Sequence, residues 1–77
     1  MMHAEELKAL LHASPFKPFT VHLAGDKAFF VPHEDFALLT PKGRTLVVSH
    51  REKEAVDLLD VALISRIEIH ESTASGS

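Results

Sequence analysis

The chain has no cysteine, no tryptophan and no tyrosine, and only three glycines among its 77 residues. Without cysteine it has neither a disulfide nor a thiolate ligand for structural zinc, the staples on which domains this small often depend. Three glycines, one of them Gly76 in the tail, leave no loop able to cradle a phosphate. There is no Gly-x-Ser-x-Gly step or comparable nucleophile pattern, so the chain is expected not to be an enzyme. Its longest apolar runs fall well short of the ~20 residues that span a bilayer, and no basic segment precedes an apolar run at the N-terminus. The expectation is a cytoplasmic protein without a membrane partner.

Positive charge is also scarce. Eight Lys and Arg face eleven Asp and Glu, a formal net charge of -3 that repels a phosphate backbone at long range. Six histidines qualify this, because protonating all of them carries the charge to +3, with the change centred near pH ~6.5 for unperturbed imidazoles. A chain of this length buries only ~60% of the surface its unfolded state exposes, so its stability margin is thin. With disulfides and zinc fingers excluded, self-association is the remaining staple.

What is present reads as one helix followed by strands. Leu7, Leu10 and Leu11 recur at spacings of three and four within Ala4 to Ala13, with Glu5 and Glu6 early, where the helix dipole favours anions. Pro15 ends that helix at Ser14. Phe16 and Phe19, in the connector Pro15-Phe16-Lys17-Pro18-Phe19, are expected to clamp the helix to the sheet. Alternation predicts strands over Phe19 to Leu23 and Lys27 to His33, joined at Gly25-Asp26 and bent at Pro32. Phe36 to Thr40 reads as a third strand or a continuation past that bend, closed by the turn Pro41-Lys42-Gly43. Arg44 to Ser49, Ala55 to Asp60 and Ser65 to His70 complete the set, with a 3₁₀ turn at Val61-Ala62-Leu63. The fold class is therefore mainly β with one N-terminal helix: a small, bent, five-stranded antiparallel barrel over residues 1–71. Residues 72–77, small and polar, are expected to be a disordered tail.

The stretch Pro15 to Leu23, followed by Gly25 and then Val31-Pro32-His33, resembles a group of small uncharacterised bacterial proteins. These share a helix, a doubled Pro-Phe step and a hairpin ending in Val-x-His with an acidic residue soon after. The likeness covers roughly residues 7 to 70 and brings no activity with it. The strand order also resembles the Sm-like small barrels, which form rings and bind RNA at subunit junctions. In the Sm pattern Asp-x-Φ-x-Asn follows the second strand and Arg-Gly precedes the last. Asp35-Phe36-Ala37-Leu38-Leu39 keeps the acidic residue, but the asparagine is absent and Asp60-Val61-Ala62 stands where Arg-Gly is expected. The resemblance implies a barrel. For RNA it leaves Lys27, Lys42 and Arg44 as basic contacts and Phe30 as a stacking platform.

His22, His33 and Asp35 are weak metal candidates, since a divalent site needs three or four converging ligands and neighbouring strand residues point apart. No cofactor is expected. The outward apolar residues carry more weight. If Phe29, Val31, Leu46, Val48, Val56, Leu58, Ile67 and Ile69 fill the barrel, then Phe30, Leu39, Val47 and Leu59 point outward. Either the helix covers them or a second copy of the chain does. The first expectation is a non-catalytic homo-oligomeric interaction module. The alternatives are an Sm-type single-stranded RNA binder and a histidine-dependent metal or pH-responsive protein.

Overall fold

A computed structural model of the chain describes residues 3–70. The first element, α1 (Ala4–Leu11), buries Leu7 and Leu11 and places Glu5 and Glu6 in its first turn. It ends at Leu11 with His12 as its C-cap, short of the expected Ala13, and the following Ser14–Pro15 peptide is cis. Beyond the connector, Phe16 and Phe19 meet with ring centroids 5.8 Å apart, and both belong to the core, Phe19 fully buried and Phe16 partly.

Six strands follow: β1 (Phe19–Leu23), β2 (Lys27–Val31), β3 (Ala37–Leu39), β4 (Thr45–Ser49), β5 (Val56–Asp60) and β6 (Ile64–Ile69). They form two three-stranded antiparallel sheets, ordered β2-β1-β6 and β3-β4-β5. The bent five-stranded barrel expected from the sequence appears as six strands in two sheets that do not close on each other. At Pro32 the chain loses a donor and bends, and a 3₁₀ turn at Glu34–Phe36 then separates β2 from β3. A second 3₁₀ turn, Val61–Leu63, lies between β5 and β6, capped by Asp60, whose carboxylate accepts from the Ala62 N–H at 3.0 Å.

The turns follow local chemistry. Gly25 and Asp26 both take positive φ in the β1–β2 hairpin. Gly43, at φ +72, closes the β3–β4 hairpin where a Cβ would lie 2.5 Å from the Cβ of Ala4, so this glycine also lets the helix N-terminus dock. The helix otherwise lies along β3.

The core is one cluster of Leu7 and Leu11 from the helix with Phe19, Val21, Val31, Leu46, Val48, Leu59, Val61 and Ile64 from the strands and the second 3₁₀ turn. The facing of four residues differs from expectation. Val56 and Leu58, expected inside, are exposed; Leu59, expected outside, is only 3% exposed. The strand carries its inward alternation through Leu59 to Val61, which puts Asp60 in water and caps the next turn with it. Likewise Leu39 packs against the core and Leu38 faces out. Ile69 shares a face with its buried partner Phe19, yet it is 44% exposed because β6 is an edge strand.

Candidate interaction surface

Leu38, Val47 and Leu58 are consecutive partners across β3, β4 and β5, so the pleat puts all three on one face. Their neighbours Leu46 and Leu59 are buried, which makes that face the outer one. Leu38 is 65% exposed and Leu58 69%, with Val47 half-buried between them. Val56, two residues before Leu58 on the same face, is 58% exposed. The helix cannot cover this row, because its apolar stripe is spent on the opposite side of the sheet, in the shared core.

Of the four outward residues expected from the sequence, Phe30 and Val47 do face out, whereas Leu39 and Leu59 face in. Leu38, Val56 and Leu58 were missed. A usable signal was Asp60: the alternation that hides Val56 and Leu58 also turns that carboxylate inward.

Phe30 lies on the other sheet. There the outer face carries the row Phe30–Thr20–Glu68 and beside it Ala28–His22–Arg66. His22 Nε2 sits 3.1 Å from Glu68 Oε1, Arg66 Nη1 sits 3.9 Å from the same oxygen, and His70 Nε2 lies 2.7 Å from Thr20 Oγ1 with its ring edge-on to Phe30. The hydrogen bond to His22, helped by the positive groups His70 and Arg66 nearby, holds the Glu68 carboxyl below its ordinary 4.5. Desolvation acts against this shift without reversing it.

The metal candidates separate. His33 and Asp35 meet at 3.5 Å in the 3₁₀ turn, where the imidazole caps the Asp35 N–H, while His22 is engaged with Glu68 on the first sheet. Among the described residues no group of three His, Asp or Glu converges. The basic candidates are dispersed by alternation: Lys27 and Phe30 belong to opposite faces of β2, Lys42 is in the β3–β4 turn, and the Arg44 carbonyl accepts from Val61 N–H at 2.9 Å. A groove of about 410 Å³ runs between β2 and the β4–β5 loop, past Phe30, Pro32, His50 and Arg51. Along this groove His50 meets Asp57 at 2.6 Å and Arg51 lies over the ring of Phe36, with Glu52 and Lys53 beside them. No described helix is long and apolar enough to cross a membrane.

No family model, no curated protein and no solved structure matches the chain.

Proposed function

We propose that the chain is a non-catalytic, homo-oligomeric interaction module, an open Sm-like barrel that works in the cytoplasm and whose partner is a second copy of itself. The observation that carries this reading is the row Leu38–Val47–Leu58 with Val56, an apolar face crossing all three strands of one sheet. A contiguous apolar patch on a small chain marks an interaction site, and self-association supplies the burial that a single core of this size lacks. The barrel reading is supported by two stretches, residues 27–39 and 56–69, each of which contributes a strand to both sheets.

Light scattering tests the assembly: the wild-type chain is expected to run as an oligomer, and Leu58→Glu to lower its mass. A histidine-dependent pH response is a second reading, favoured by three histidine–carboxylate contacts: His22–Glu68, His33–Asp35 and His50–Asp57. It predicts that the oligomer distribution changes between about pH 5.5 and 7.5, where histidines titrate. RNA binding of the Sm type draws less support, because Phe30 and Lys27 do not share a face.

A further inference from the structure

We propose that β6 pairs antiparallel with β6 of a second copy of this chain, about a twofold axis at Ile67. This seam rests on the homo-oligomer reading and specifies one of its contacts.

Backbone geometry fixes which groups are open. His70 N–H donates to the Pro18 carbonyl at 2.9 Å, so His70 and Pro18 form a hydrogen-bonded pair of the β1–β6 ladder. Such pairs recur every second residue, so Glu68 and Arg66 also turn their backbone groups toward β1. Ile67 and Ile69 turn theirs away, to an edge that no other described strand pairs.

A second β6 meeting that edge antiparallel at Ile67 finds a matching set of donors and acceptors. Ile67 then faces its own copy in a hydrogen-bonded pair. One step to either side, Arg66 stands opposite Glu68 of the second copy and Glu68 opposite its Arg66. Those positions are non-hydrogen-bonded pairs, where side chains approach most closely. The strand is thus charge-complementary to itself, with two identical ion pairs related by the axis. Glu68 is already held on this face by His22 and Arg66. Ile69, left 44% exposed in one subunit, would gain cover at the seam.

The β5 and β2 edges lack this match, and β3 is only three residues long with the helix against it. Val61 N–H donates to Arg44, so β5 opens Val56, Leu58 and Asp60 outward, but self-pairing there about Leu58 sets Asp57 opposite Leu59 and Asp60 opposite Val56 of the second copy, with no Lys or Arg on the strand to answer either carboxylate. The β2 edge runs into Pro32, which has no N–H to give.

Arg66→Glu and Glu68→Arg test the seam separately and together. Each variant alone sets like charges opposite one another and is expected to weaken assembly at least tenfold. An equal mixture of the two restores opposite charges at both positions, and native mass spectrometry should find the mixed pair at wild-type strength. In the wild type, amide exchange at Ile67 and Ile69 should slow as protein concentration rises. A wild-type oligomer that neither variant disturbs, a mixture that does not recover, or edge amides indifferent to concentration overturns the seam and leaves the homo-oligomer reading standing. A wild-type chain that stays monomeric overturns both.

Discussion

Leu58 stands directly opposite Val47 across β5 and β4 with both side chains turned to solvent, while the adjacent pair Leu59 and Leu46 fills the core. One leucine doublet therefore serves two purposes, one residue holding the sheets together and the next coating the outer surface.

That division predicts unequal responses to truncation. Leu59→Ala should cost ~2–5 kcal/mol in urea unfolding, since it empties a packed site between the sheets. Leu58→Ala should stay within ~0.5 kcal/mol in a subunit held monomeric by dilution. Equal losses at the two positions would contradict the facing assigned to β5.

Gly43→Ala is expected to destabilise the fold by more than ~1 kcal/mol, because the position needs positive φ and a methyl group there meets Ala4. The signature should include loosening of the helix N-terminus, read as faster amide exchange over the first turn of α1. A neutral substitution would mean that the helix does not rest on this turn.

Glu68 gives a pH dependence with a defined sign. Its folded-state carboxyl titrates below the ordinary 4.5, chiefly through the hydrogen bond with His22, so the stability it adds is present above 4.5 and is lost as pH falls through the lowered value. Glu68→Gln should therefore flatten that part of the acid limb of the stability curve. Carboxyl NMR should show the Glu68 titration midpoint rising in His22→Ala. A midpoint that does not move would remove His22 as the main cause.

Hairpins and turns were legible in the sequence because each has a local cause. The strand Phe19 to Leu23, the Gly25-Asp26 turn, the 3₁₀ turn at Val61–Leu63 and the stop after the helix all follow from alternation, glycine and proline within a few residues. Facing within the leucine doublets was not legible by the same means. Leu38-Leu39 and Leu58-Leu59 satisfy alternation in either register, and the choice comes from what surrounds them: Leu39 and Leu59 both lie opposite Leu46 across the sheet, and beyond Leu59 the run continues with Asp60 in water and Val61 inside. The split of one bent strand into β2 and β3 was half visible in Pro32. The 3₁₀ turn that completes it depends on His33 capping Asp35, a contact between side chain and backbone that hydrophobic patterning does not record.

The central claim is that the face bearing Leu38, Val47, Val56 and Leu58 is covered by another copy of the chain. Light scattering on the wild type and on Leu38→Glu/Leu58→Glu, at concentrations from micromolar to millimolar, tests it most directly. The expected result is a wild-type mass at least twice the 8.5 kDa of one chain, and a lower mass in the double variant while the fold persists. A wild type that remains at 8.5 kDa throughout, or a double variant that assembles as the wild type does, contradicts it.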